Sequence, residues 1–512
     1  MRNAAARLSR ILTPSRMAVL FGILFALSIL PILYVAPAVR ATGDDLGYSY
    51  TVKYALQNGE GICGIASAIA AMIAEKWNTW QGTWSSIALF CLQPGIWGDS
   101  WYPLTVLIAL VSILTGLWYC LFVILKSLGF RASFCWIAFF LTALLVIQYM
   151  PYERGGLFWW TSVAHYSIPF GAVMLCIGFS LRWLETGKIR FYVPLLLLMT
   201  YLGGAGYPEL VLGAAWIFLV IAGGLTGIIK AGSAKRKTRS LLLLIPLALL
   251  LTGFVISAMA PGNTVRGGEG FGFHISDVMR TLRTCVAEGF AESVGYFLSV
   301  RVLLPVLLVI AVFAWEMTDT AAATETALDP SLWWQPVLIV LVGFGLICIV
   351  RAPAIYAGTE VSGGVPDSYW FITMTAMTLC SAALSSWFRL WFDRRRGRAS
   401  SSCLCWSGSA ALIFLLFCLL FFRHLVGDTV DYTCMQFAAS GQLADYEEQM
   451  GEWLAILNDP SVEQAQLPAM NDEQGPFMLM VPTGDSSDYT SWVYALYYGK
   501  ESVVMVPREE SE

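Results

Sequence analysis

The chain of 512 residues is 57% hydrophobic and 13% charged, with a formal net charge of −4 and a mean hydropathy of +0.66. Soluble domains carry about a quarter of their residues as charge, so this composition excludes a soluble globular class. Without a basic excess it also gives no sign of a nucleic-acid partner. The 12 cysteines fall mostly singly inside apolar runs, as at Cys120, Cys135, Cys176, Cys348, Cys380 and Cys418. No paired CxxC motifs occur and Cys403-Leu404-Cys405 abuts an apolar run, so the thiols read as small buried hydrophobes rather than a disulfide framework or metal site.

The first apolar run, Met17–Val39, is too long for a cleaved signal peptide, and no small-residue cleavage site precedes the acidic pair that follows. Runs able to cross ~30 Å of hydrocarbon then recur. They are Tyr102–Leu125, Ala132–Tyr149, Ser167–Leu184, Phe191–Leu202, Leu210–Ile229, Leu241–Met259, Val294–Trp315, Pro336–Val350, Tyr369–Leu390 and Cys405–Phe422. The pattern predicts an all-α polytopic membrane protein of about 11 transmembrane helices over residues 1–423. With a cytoplasmic N-terminus, the inner segments hold 19 Lys and Arg and the outer loops 8, led by Lys235-Arg236-Lys237-Thr238-Arg239 and Arg394-Arg395-Arg396. An odd number of spans then puts residues 424–512 outside.

Asp44 and Asp45 follow the first span at the outer boundary, in Ala41-Thr42-Gly43-Asp44-Asp45-Leu46-Gly47-Tyr48. Carboxylates there suit deprotonation of a sugar hydroxyl or a divalent metal, and equally an acidic interfacial loop. The rest of the outer loop, 40–100, holds Ile62, Ile65, Ile69, Met72 and Ile73 at helical spacing, ending in Trp77 and Trp80. This predicts a helix lying on the outer membrane face, with a re-entrant segment as the alternative. The second outer loop carries Trp159 and Trp160, which suit an interfacial anchor or a sugar-stacking surface, and His165, a structural hydrogen-bonder or a proton-transfer group.

Gly203-Gly204-Ala205-Gly206-Tyr207-Pro208-Glu209 joins two spans and leads Glu209 into apolar surroundings, where a carboxylate needs a partner or a wet cavity. In Ala260-Pro261-Gly262-Asn263-Thr264-Val265-Arg266 the turn ends a helix. There Asn263 can bond the local main chain and Arg266 is held at the membrane surface. Arg266 and Arg351 offer forks for a phosphate, or snorkel to headgroups.

A first span, an Asp pair and a long first outer loop with membrane-lying helices together resemble the GT-C glycosyltransferases, polytopic enzymes with polyprenyl-phosphate-linked sugar donors. Within that class the chain is similar to a bacterial multi-pass family of unassigned function, related to phage-type glucosyl transferases that modify surface polysaccharide. The segments that carry the likeness are Gly43-Asp44-Asp45, Trp159-Trp160-Thr161-Ser162 before Tyr166, Pro261-Gly262-Asn263 with Arg266, and Trp492-Val493-Tyr494-Ala495-Leu496-Tyr497-Tyr498-Gly499. The resemblance implies inverting transfer to a cell-envelope glycan, lipid or protein at the outer membrane surface. Asp44 or Asp45 would activate the acceptor hydroxyl, and Arg266 or Arg351 would hold the donor phosphate. Glu209, Asn263, His165, Trp159 and Trp160 would line the substrate site. Where members of the class are metal-dependent, Asp44 and Asp45 would hold Mg²⁺ or Mn²⁺. Pro208 stands before Glu209 where a polar residue such as Asn is expected.

The tail, 424–512, carries 16 Asp and Glu from Asp428 onward against Lys500 and Arg508. An amphipathic helix over Asp431–Leu457, strands at Phe477–Val481 and Ser502–Val506 and a helix near Ser491–Tyr498 predict a small α/β extracytoplasmic C-terminal domain. The competing functions are a lipid-linked glycan polymerase or ligase, and a transporter or flippase. A transporter would show internal repeats and midplane polar groups, whereas here the polar groups gather at one boundary.

Overall fold

The computed structural model describes residues 13–227, 235–267, 275–318, 328–358, 361, 363–396, 427–471 and 474–508. Its described part is predominantly helical, and six helices are long and apolar enough to cross a membrane: Pro14–Ala38, Asp99–Ser127, Trp160–Thr186, Tyr207–Thr226, Arg236–Ala258 and Val365–Arg395. In chain order the elements that place the site begin with α1 (Pro14–Val35), α2 (Asp44–Gln57), α3 (Gly61–Thr79) and α4 (Trp84–Phe90). Then come α5 (Leu104–Ser127), α6 (Ala132–Gln148), α7 (Ile168–Thr186), α8 (Ile189–Leu202), α9 (Tyr207–Thr226) and α10 (Leu244–Ala258). The second half holds α11 (Ile275–Ser299), α12 (Leu303–Met317), α13 (Gln335–Ile349) and α14 (Val365–Arg396).

The expected runs at 132–149, 191–202 and 336–350 appear as shorter apolar helices, Ala132–Gln148, Ile189–Leu202 and Gln335–Ile349. The run Cys405–Phe422 lies outside the described residues. One expectation is corrected: Val294–Trp315 is not a single straight span, because α11 and α12 meet at 96°. The reason is compositional. Asp277, Arg280, Arg283, Glu288 and Glu292 make α11 amphipathic, whereas α12 is apolar up to Glu316.

The bundle is built around α7. In Trp160–Thr186, 72% of the apolar window is buried, against 28% for Arg236–Ala258 on the periphery. Small residues let α5 and α7 touch backbone to backbone: a Cβ on Gly116 would lie 2.4 Å from the Gly171 carbonyl oxygen, and one on Gly171 2.3 Å from that of Ser112. Gly116→Val is therefore expected to cost about 3 kcal/mol, the upper end of ordinary overpacking because the obstacle is main chain. A thermal unfolding midpoint in detergent equal to wild type would contradict this.

The C-terminal segment forms α15 (Val430–Ala439), α16 (Gln442–Asn458), β1 (Gln464–Pro468), α17 (Tyr489–Tyr498) and β2 (Ser502–Val506). β1 and β2 pair in parallel, Gln464 opposite Ser502 through Pro468 opposite Val506. Two expectations change here. The helix over 431–457 is broken at Ser440-Gly441, where Gly441 takes a left-handed φ of +88° that ends one helix and opens the next. Phe477–Val481 is irregular rather than a strand, since Phe477 is a core plug between the rings of Phe158, Phe437 and Tyr446. The first strand is Gln464–Pro468 instead, whose Gln-Ala-Gln-Leu alternation matches its exposed-buried pattern. Phe437, Tyr446, Trp453, Phe477 and Tyr494 belong to the same hydrophobic core as the helices.

Candidate functional site

The acidic pair opens α2. Gly43 precedes it at φ +50°, a conformation only glycine adopts at ease, with Met480 packed so closely that a Cβ would lie 2.4 Å from it. The turn lets the Thr42 carbonyl accept from Asp45 N at 3.1 Å and the Gly43 carbonyl from Leu46 N at 3.0 Å. Both carboxylates therefore sit in the first turn, where the helix dipole favours negative charge.

The two side chains have different surroundings. Asp45 is fully buried. Its Oδ1 accepts from Thr161 N at 2.8 Å and Thr161 Oγ1 at 2.6 Å, and its Oδ2 from the Tyr102 hydroxyl, which itself accepts from Trp160 N at 3.0 Å. Burial pushes its carboxyl up to about 7; the Thr161 and Tyr102 donors pull it back only in part, and Asp44 adds to the rise. Asp44 is half-buried, and its Oδ1 accepts from the Tyr489 hydroxyl at 2.8 Å, a residue of the last helix. The Tyr489 phenol is held well above its usual range by burial, with Asp44 adding to it.

Around Asp44 the wall continues through Tyr48, one turn on. The Lys76 ammonium lies 5.7 Å from the Tyr48 ring centre and pairs with Glu75 at 2.8 Å. A chain of tilted and edge-on ring contacts runs from Tyr48 to Phe90 at 4.9 Å, to His165 at 5.7 Å, and from there to Tyr166 at 4.6 Å. His165 Nδ1 and Ser86 Oγ are 2.7 Å apart, and Ser85 and Ser86 N–H groups donate to the Gly204 carbonyl, tying α4 to the glycine turn before α9. Trp160 is buried, donating Nε1–H to the Leu89 carbonyl at 2.8 Å, while half-buried Trp159 has no hydrogen-bond partner for its Nε1 among the described residues. Both sit between the π-helical turns Arg154–Phe158 and Val163–Ser167, local departures that recur at functional sites.

Glu209, in the first turn of α9, is fully buried, with the Ser368 hydroxyl as the side-chain donor that acts on its carboxyl. It lies against Gly206, whose added Cβ would be 2.7 Å from Glu209 Oε2 and 2.4 Å from the His165 carbonyl. Asn263 is a staple rather than an open hydrogen-bonding group. Its amide donates to the Ser257 carbonyl at 2.8 Å, as the turn chemistry suggested, and its Oδ1 accepts from Gly82 N at 3.1 Å, clamping the end of α10 to the first loop. The Arg266 side chain lies outside the described residues.

Arg351 is buried, 1% exposed, in an ion pair with Glu292; its guanidinium also donates to the Ile347 carbonyl and lies 4.6 Å from the Tyr369 ring centre. Glu292 accepts from the Tyr296 hydroxyl at 3.0 Å as well.

The structure thus brings Asp44, Asp45, Trp160, His165, Glu209 and Asn263 to one end of the bundle. Sequence reasoning missed Tyr102, Thr161, Glu292 and Tyr489. Thr161 and Tyr489 lay in or beside segments already singled out, whereas nothing local to Tyr102 or Glu292 marks them. For Mg²⁺ or Mn²⁺ held by both aspartates, Asp45 has one lone-pair site left, on Oδ2, because its oxygens already accept from three hydrogen-bond donors. Among the described residues no three His, Cys, Asp or Glu side chains converge. No protein-family model and no curated protein matches the chain.

Proposed function

We propose that the protein is a GT-C-like membrane glycosyltransferase moving a sugar from a polyprenyl-phosphate donor to a cell-envelope glycan, lipid or protein. In this reading the chain crosses the membrane eleven times with its N-terminus in the cytoplasm. The Asp44 end of the bundle and residues 424–512 then face outward, and the exposed apolar surfaces contact membrane lipid. The observation that carries the reading is the division of labour in the acidic pair: one carboxylate open enough to meet a substrate, its neighbour sealed and held from three sides.

Asp44 takes the proton of the acceptor hydroxyl as that oxygen attacks the anomeric carbon. The new carbon–oxygen bond forms as the bond to the donor phosphate breaks, and the phosphate leaves with the electron pair. Asp45 fixes the first turn of α2 against Tyr102 and Thr161, and so fixes where Asp44 points. Arg266 would hold the donor phosphate, and Arg351 would do so only by exchanging Glu292 for it. His165, Glu209, Trp159 and Trp160 form the adjoining wall.

The reading is tested by comparing envelope glycans from cells lacking the protein, cells with wild type, and cells with the Asp44→Asn variant. A glycan identical in wild-type and deleted cells would sink it. Tyr489→Phe removes the donor that orients Asp44 and is expected to lower transfer about 10-fold through looser positioning of the base. It is also expected to move the acidic limb of the pH–rate profile to higher pH. An unchanged limb would show that Tyr489 only packs.

A further inference from the structure

A cleft of about 320 Å³ opens between the far end of α2, the end of α16 and the turn between α17 and β2, with Lys53, Tyr54, Gln57, Asn458, Tyr498 and Lys500 on its walls. Lys53 Nζ donates to the Tyr497 carbonyl at 2.9 Å and lies 3.7 Å and 4.6 Å from the ring centres of Tyr497 and Tyr498. Lys500 Nζ donates to the Asp459 and Val462 carbonyls at 2.5 and 2.7 Å. Neither ammonium is within ion-pair distance of a carboxylate among the described residues. The acid that acts on Lys53, Asp99, accepts instead from the Tyr498 hydroxyl and the Asn458 amide, each at 3.2 Å.

Helix capping accounts for part of this, because Lys53 meets a carbonyl at the negative end of α17. It uses one of the three ammonium protons of Lys53, and Lys500, which donates two, keeps one. Burial holds Lys53 below the usual lysine range, at about 8, with Asp99 opposing. Two ammonium groups beyond ion-pair distance of the described carboxylates are thus kept in one cleft, although Asp99 acts on Lys53 and Asp459 on Lys500 at longer range, and most of its wall belongs to the tail with 16 acidic residues. Tyrosines, amides and a few apolar side chains fill the remaining wall, together with one carboxylate, Glu463.

We propose that this cleft binds an anionic oligosaccharide, whose acidic groups meet Lys53 and Lys500 and whose hydroxyls meet Tyr54, Gln57 and Asn458. Lys53 stands nine residues beyond Asp44 on α2, about 14 Å at the helical rise. Nine residues also turn the helix through about 900°, so Lys53 stands on the face opposite Asp44, and an acceptor glycan of several sugars reacting at Asp44 reaches the cleft only by passing round α2. The choice of a glycan rests on the glycosyl-transfer reading; the charge and shape of the cleft do not.

The test titrates the purified full chain in detergent with trigalacturonate, glucose 6-phosphate, maltotriose and inorganic phosphate, following binding calorimetrically. An acidic sugar is expected to bind at least about 10-fold more tightly than maltotriose, and Lys53→Met and Lys500→Met each to weaken it about 10-fold, the loss of one charge-assisted contact. Tighter binding of trigalacturonate assigns carboxylate as the anionic group, and tighter binding of glucose 6-phosphate assigns phosphate. Equal affinity for maltotriose, equal affinity for inorganic phosphate, or no binding of any probe overturns the proposal. If a lysine variant fails to fold, Gln57→Ala on the open rim decides: unchanged affinity for the acidic sugar overturns it. Binding retained in a chain without transfer activity would leave the cleft standing and remove the transferase reading. Transfer without binding would do the reverse.

Discussion

Replacing Asp44 with Asn is expected to lower sugar transfer by about 10²–10⁴-fold, the usual contribution of a positioned general base. Stability should fall by about 1 kcal/mol, because a charge-assisted hydrogen bond becomes a neutral one and the helix dipole loses its anion. The amide keeps the size of the side chain and still accepts from Tyr489, so the helix start and the docking of α17 persist. What disappears is the group able to take the acceptor proton. The measurement is transfer of a labelled sugar from a lipid-linked donor in membranes containing matched amounts of each protein. A variant that transfers at wild-type rate while inserting normally removes Asp44 from the chemistry.

Asp45→Asn should act on stability and its pH dependence. The folded carboxyl sits at about 7 because it is buried, whereas an unfolded aspartate lies near 3.9. Between these values the folded chain holds a proton that the unfolded chain has lost. Its contribution is therefore complete below about pH 4, declines as pH rises to about 7 and is constant above, a span of about 4 kcal/mol. An Asn at this position cannot titrate, so the difference between wild-type and variant stability should change over that window and nowhere above it. Denaturant unfolding in detergent from pH 4.5 to 8.5 reads this directly, and parallel curves for the two proteins would refute it.

The apolar runs were legible because a bilayer-length helix depends only on local composition: Met17–Val39 and Tyr369–Leu390 lie within a few residues of the helices found. The bend at Val300–Val302 was not, since Val294–Ser299 and the run that follows are both apolar, and hydropathy does not reveal that the first six residues are the end of an amphipathic helix begun at Ile275. Likewise Asp44 and Asp45 stood out together in the sequence, yet only tertiary contacts separate them. Thr161 and Tyr102 close over one, and Tyr489, 445 positions away, touches the other. Arg351 stood out as a charge near an apolar run; its partner Glu292 was concealed on an amphipathic helix 59 positions earlier. Gln464–Pro468 carried a period-two signal too short to outweigh the more apolar stretch at 477–481.

The hydrogen bond between Asp44 and Tyr489 also constrains the route of the chain between them. Two groups in contact lie on the same side of a bilayer, so the intervening residues must cross it an even number of times, whatever that number is. Insertion that gains or drops a single crossing would strand Tyr489 ~30 Å of hydrocarbon away from Asp44. The contact thus acts as a parity check on topology: a chain threaded with the wrong count keeps every helix and loses the meeting of its first extramembrane turn with its last.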